Sequence, residues 1–139
     1  MLKKINIQFL FSYFGLIPYV VVFLDKYFFL IINEEILFNF IIYYSLIIIV
    51  FIGSINWDLK TNPPTHIVVY GFLPSLFSVI IIVLNLYHIN TFIIYILIIL
   101  LLLTQLFFDY IILFSNELDK KAFFFLRLPL TIFITLFLL

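Results

Sequence analysis

Five times along this chain a run of about twenty residues passes with almost nothing that prefers water. No motif in the sequence narrows the fold as much. A helix of that length reaches across the hydrocarbon core of a bilayer. Lipid offers no partner for backbone N–H and C=O groups, so each segment must satisfy its own. The runs are 6–24, 36–57, 66–87, 91–114 and 122–139. They are continuous, whereas a membrane β-strand alternates apolar and polar residues over about ten positions. Their many β-branched residues therefore do not argue for a sheet. The last run is the shortest, but at about 1.5 Å per residue it still spans.

Only 10% of the 139 residues are charged and 67% are hydrophobic, with a mean hydropathy of +1.36. A soluble domain carries roughly 25% charged residues, so the expected architecture is all-α: a polytopic integral membrane protein, a bundle of five transmembrane helices forming one membrane domain over 1–139. Seven acidic and seven basic residues cancel, which leaves no basic surface for nucleic acid. The absence of cysteine excludes disulfides and thiolate metal sites. The skew toward Ile, Phe, Leu, Tyr, Asn and Lys, with one Ala, resembles AT-rich coding, so individual Phe and Ile residues carry little meaning.

The connections are short. Asp25–Glu35 is apolar enough to lie in the membrane interface. Asp58–Thr65 contains Pro63 and Pro64, which stop any helix. His88–Asn90 and Ser115–Lys121 complete the set. With five helices threaded, Lys3, Lys4, Lys60, Lys120 and Lys121 fall on one side, with Arg127 close by. Lys26 stands alone on the other, beside Asp25, Glu34 and Glu35. The positive-inside rule then puts the N-terminus in the cytoplasm and the C-terminus outside. Lys3 and Lys4 precede an apolar run with no small-residue cleavage site after it, which reads as an uncleaved signal-anchor.

Gln105 and Asp109 interrupt the fourth run, and Arg127 and Thr131 the fifth. Taking Leu118 as the centre of the turn between them, Asp109 and Arg127 are each nine residues away, and Gln105 and Thr131 each thirteen. Members of each helix pair are four apart and share a face. Asp109 is therefore expected to pair with Arg127 by a two-point contact, with Gln105 and Thr131 level one turn deeper. A charge at the centre of a spanning helix costs about 2.5–3.5 kcal/mol. This pair sits nearer a helix end, where the cost is smaller. A structural clip, or snorkelling of Arg127 to the headgroups, is the plainer reading; a ligand or proton role is the sharper one.

Trp57 reads as an interface anchor, and Gly53 with Ser54 as a site of close helix approach. Pro18, Pro74 and Pro129 read as helix kinks. His66 and His88 lack companions at ligand spacing, so no metal is expected; no cofactor is expected either, and no catalytic motif occurs. By depth, Gly53, Ser54, Asn56, Trp57, Pro74, Gln105, Asp109 and Arg127 gather in the cytoplasmic half. The outer half reads as nearly all Ile, Leu, Phe and Val. Gly53, Asn56, Trp57 and Pro74 form the inner-face candidate site.

Five short motifs, one per run, carry a family resemblance: "FGLIPY" with Gly15 and Pro18, "FIGSINW" with Phe51, Gly53 and Trp57, "YGFLPSL" with Pro74 and Ser75, "QLFFD" with Gln105 and Asp109, and "LRLPLT" with Arg127 and Thr131. Together, along nearly the whole chain, they resemble the small membrane-protein family that contains mitochondrial transmembrane protein 69 and many proteobacterial proteins, a domain of unknown function. In that family a His commonly precedes the Trp and a Gly follows it. Here Asn56 and Asp58 stand there, which removes any haem, metal or proton role resting on that His. The resemblance implies a bacterial inner membrane, or alternatively a mitochondrial inner membrane, and supplies no activity.

The function expected from the sequence is a non-catalytic scaffold, assembly or accessory subunit. Its partners would be the lipid bilayer and another membrane protein or further copies of itself. The alternative is a small oligomeric transporter, or a lipid- or quinone-binding protein using a polar vestibule on the cytoplasmic side.

Overall fold

The structure, a computed structural model, describes residues 12–54, 64–113, 120 and 123–139. Among the described residues all regular structure is helical. In chain order the helices are α1 (Ser12–Phe29), α2 (Glu34–Ser54), α3 (Thr65–Leu86), α4 (Thr91–Leu113) and α5 (Phe123–Leu138). The first four are long and apolar enough to cross a membrane, and α5 is apolar but shorter.

The helix ends follow from local chemistry. α3 closes with paired bonds from Ile89 N–H to Leu84 O and from His88 N–H to Asn85 O, with His88 left-handed at φ 55°. This is the Schellman arrangement. Two residues later the Asn90 side chain accepts the Phe92 N–H at 2.9 Å and caps α4. Four residues, 87–90, thus suffice to end one helix and start the next. Asn33 caps α2 in the same way, accepting the Glu35 N–H at 2.9 Å. Glu34 and Glu35 place negative charge at the positive end of that helix.

α1 departs from the sequence reading, which ends the first run at Leu24 and assigns Asp25–Glu35 to the connection. The helix instead continues as a π-helical turn, Asp25–Phe29. Asp25 is buried, and its carboxylate accepts the Ile32 N–H at 3.1 Å. The charge therefore serves to close the helix end and does not stop the helix before it. Residues 6–11 of that run, and 55–57 of the second, lie outside the described residues.

The prolines divide into two kinds. Pro18 and Pro129 stand in the first turn of the α-helical segments Ile17–Leu24 and Leu128–Leu138, where a missing N–H is tolerated. A turn at Gly15–Leu16 precedes the first, and a π-helical turn, Phe123–Arg127, precedes the second. Pro74 lies within the continuous helix α3.

By contact the chain forms two compact units, Met1–Leu37 with Leu106–Leu139, and Phe38–Gln105. In the first, Tyr19 of α1 is buried and stacks on Phe137 of α5 with ring centres 5.6 Å apart, and Phe23 meets the same ring edge-on. In the second, Ile42, Leu46 and Ile49 on α2, Tyr70 and Ile81 on α3, and Ile94, Ile98 and Leu102 on α4 are buried. The spacing is three or four on α2 and α4, and on α3 once the buried Pro74 and Ser78 between Tyr70 and Ile81 are included, so one face of each helix is buried.

Gly53 sets the approach of α2 to α3. A Cβ there would stand 2.8 Å from the Gly71 carbonyl oxygen and 2.9 Å from Pro74 Cγ. Neither a helical carbonyl nor a proline ring retreats cheaply. Gly53→Ala is expected to lower stability by about 1–3 kcal/mol, read from thermal unfolding in mild detergent. An unchanged midpoint would show that the two helices have slack at this crossing.

Candidate functional site

In the first unit Asp109 and Arg127 form an ion pair, with Arg127 Nε 3.3 Å from Asp109 Oδ2. Asp109 is held four-fifths of the way along α4, and Arg127 ends the π-helical turn that opens α5. The side chains are 3% and 12% exposed respectively, so the carboxylate is the more enclosed of the two. Tyr110, next to Asp109, packs edge-on against the Phe123 ring at 5.5 Å, which fixes the two helix segments beside the pair. Pro129 has no N–H to offer the Phe125 carbonyl four residues earlier. The Tyr13 hydroxyl donates to that carbonyl from α1.

In the second unit Gln105 is buried and committed on two sides. Its Nε2 donates to the Ile49 carbonyl at 2.9 Å, and its own backbone carbonyl accepts the Tyr70 hydroxyl at 3.0 Å. Gln105 thus ties α4 to both α2 and α3 near the Gly53–Pro74 crossing. Thr131, in the other unit, is buried and its carbonyl accepts the Thr135 hydroxyl at 2.5 Å. Of the inner-face candidates, Gly53 and Pro74 come together, while Asn56 and Trp57 lie outside the described residues. Ser54 turns its hydroxyl back to the Phe51 carbonyl at 2.8 Å.

One polar cluster was missed in the sequence. Asn85 near the end of α3 donates to Asn39 Oδ1 at 3.0 Å and to the Tyr43 hydroxyl at 3.3 Å, both on α2. That end had been read as nearly all Ile, Leu, Phe and Val. The available signal was the four-residue spacing of Asn39 and Tyr43, which puts both on one helix face. Ser45 and Ser78 are also buried in this unit. Among the described residues, Ser78 Oγ, Tyr95 OH and Gln105 Oε1 are buried without a hydrogen-bond partner.

The chemistry on offer is that of helix joining. Gln105, Tyr70, Tyr13, Asn85 and the Asp109–Arg127 pair each join one helix to another, while Asp25, Asn33 and Asn90 accept backbone N–H groups at helix ends. Among the described residues no group of three His, Cys, Asp or Glu side chains could hold a metal ion. Fold and site together define an all-α protein with four apolar helices of membrane-spanning length and polar groups turned inward. No family model, no curated protein and no solved structure matches the chain.

The ion pair can be tested as a pair. Arg127 is long enough to move its charge toward water, whereas Asp109 is not. Arg127→Gln, which strands the carboxylate, is expected to cost about 3 kcal/mol or more, and Asp109→Asn less. Thermal unfolding of both singles and the double should give a coupling of about 0.5–3 kcal/mol. Additive losses would mean that the contact contributes nothing.

Proposed function

We propose that this chain is a multi-pass integral membrane protein acting without catalysis, as a scaffold, assembly factor or accessory subunit of a larger membrane complex. All five helices cross the bilayer, with the N-terminus cytoplasmic and the C-terminus outside. Its home is a bacterial inner membrane or, as the alternative, a mitochondrial inner membrane, as the resemblance to the transmembrane protein 69 family implies.

The observation that carries this reading is the reversal of the usual polarity. Large apolar side chains stand exposed on all five helices, among them Val21, Phe51, Phe72, Phe107 and Leu136. The polar groups Asp109, Gln105, Ser78 and Thr131 are buried. Water would not tolerate apolar patches on that scale, whereas acyl chains cover them at no cost. The non-catalytic half of the reading draws support from how the inward polar groups are used. Gln105, Tyr70, Tyr13 and the Asp109–Arg127 pair each join one helix to another.

The expected outcomes are threefold. The chain resists extraction from membranes by alkaline carbonate. A C-terminal alkaline phosphatase fusion is active, and a green fluorescent protein fusion at the same place is dark. Purification from native membranes in gentle detergent brings down a protein partner in fixed ratio. Release by carbonate would end the membrane reading. A dark phosphatase fusion would end the orientation. Recovery of the chain alone, with Asp109→Asn folded but abolishing a solute flux, would replace the scaffold with a carrier.

A further inference from the structure

From the last turn of α1 into the connection to α2 the chain presents six large apolar side chains in succession, Tyr27 to Ile32, all exposed, with Leu30 at 74% and Ile31 at 80%. Scattered apolar residues on a surface need no explanation, but an unbroken run does. The segment is also built. The Leu30 N–H donates to the Asp25 carbonyl at 2.7 Å, and the Ile32 N–H to the Asp25 carboxylate at 3.1 Å. One buried aspartate thus holds both ends of the turn, and Asn33 caps the helix that follows.

Leu30 makes the case specific. Its backbone is left-handed, φ 51° and ψ 36°, a conformation at helix ends that is usually left to Gly or Asn. His88 fills the same conformation at the end of α3 with a polar residue. AT-rich coding would supply Asn as readily as Leu. The leucine thus neither suits its backbone nor buries its side chain within the chain.

We propose that Tyr27–Ile32 is a lipid-binding ledge, locked by Asp25 and lying flat in the interfacial layer of the bilayer. The proposal rests on the membrane-spanning reading, which puts so short a connection at the outer surface. Three features favour lipid as the occupant. The ledge continues the exposed apolar face of α1, with Val20, Val21, Phe23 and Leu24. Charged groups rim it: Lys26 before, and Glu34 and Glu35, both exposed, after. The Lys26 ammonium lies over the Tyr27 ring, 5.5 Å from its centre, an amphipathic pairing suited to the headgroup level.

The experiment uses the full chain in phosphatidylcholine vesicles, with the single Trp57 replaced by Phe so that one introduced tryptophan reports. Phe28→Trp reads the ledge, and Leu103→Trp reads the lipid-exposed middle of α4. Phosphatidylcholines brominated either near the carbonyl or near the chain end serve as quenchers. The ledge is expected to emit at short wavelength and to be quenched more by the shallow bromines, with α4 showing the reverse preference. Adding Leu30→Asn, which keeps the backbone conformation, should weaken shallow quenching at position 28 without lowering the unfolding midpoint. Lipid quenching at 103 but none at 28 overturns the ledge alone. If position 28 is then reached by aqueous iodide, the ledge faces water; if by neither quencher, a second copy or another protein covers it. Loss of lipid quenching at 103 overturns the spanning reading and the ledge with it.

Discussion

Everything in this structure depends on the backbone finding its own hydrogen bonds. A chain so poor in charge has little else to offer an apolar solvent, and an unmatched carbonyl or N–H there costs several kcal/mol. Helices meet that demand along their length. The remaining difficulty is local: the ends, where bonds run out, and the prolines, where a donor is missing. A first set of polar side chains serves those two difficulties. Asn33, Asn90 and Asp25 serve the ends, and Tyr13 serves the Phe125 carbonyl that Pro129 cannot.

The same economy explains what the buried polar groups do between helices. Between helices whose facing and outward surfaces are both apolar, packing alone gives little preference for one arrangement over another. A hydrogen bond with a unique partner does. Gln105 selects Ile49 and receives Tyr70, so one side chain and its own carbonyl fix three helices at one level. Asn85 does the corresponding work near the other end of α3 through Asn39 and Tyr43. Gly53, by omitting a side chain, sets how closely α2 and α3 cross. The first unit uses an ion pair for the same purpose, Asp109 with Arg127. Each element of specificity is a local exception to an otherwise uniform apolar sequence.

How legible each exception was depends on what lies between its partners. Asp109 and Arg127 are separated by one short connection, so counting outward from Leu118 puts them at one depth, and the structure joins them. Gln105 and Ile49 are separated by a whole helix and two connections, and no counting from a single turn relates them. Gln105 was therefore assigned a level but not the Ile49 carbonyl. The helices themselves were legible because hydrophobicity over twenty residues is a strong signal. Their ends are less so: a run that loses its apolar character at Asp25 continues as helix, because that charge is bound to the backbone beyond it. Asn39, Tyr43, Asn85 and Tyr70 are not legible as partners for the reason that applies to Gln105: each bonds to a residue at least 35 positions away on another helix.

Coding bias sharpens one point. A bias toward Phe, Ile and Leu fills any tolerant position with them, so exposure of such residues on a helix face says only that the position tolerates them. Leu30 differs because its position is not tolerant: a left-handed backbone resists a side chain whatever the codon supply. Bias accounts for the apolar character of its neighbours but not for a leucine at the one residue where the backbone opposes it. In a chain this uniform, conflict between a residue and its own conformation carries more information than residue type does. By that measure the connection after α1 stands apart from the helices on either side of it.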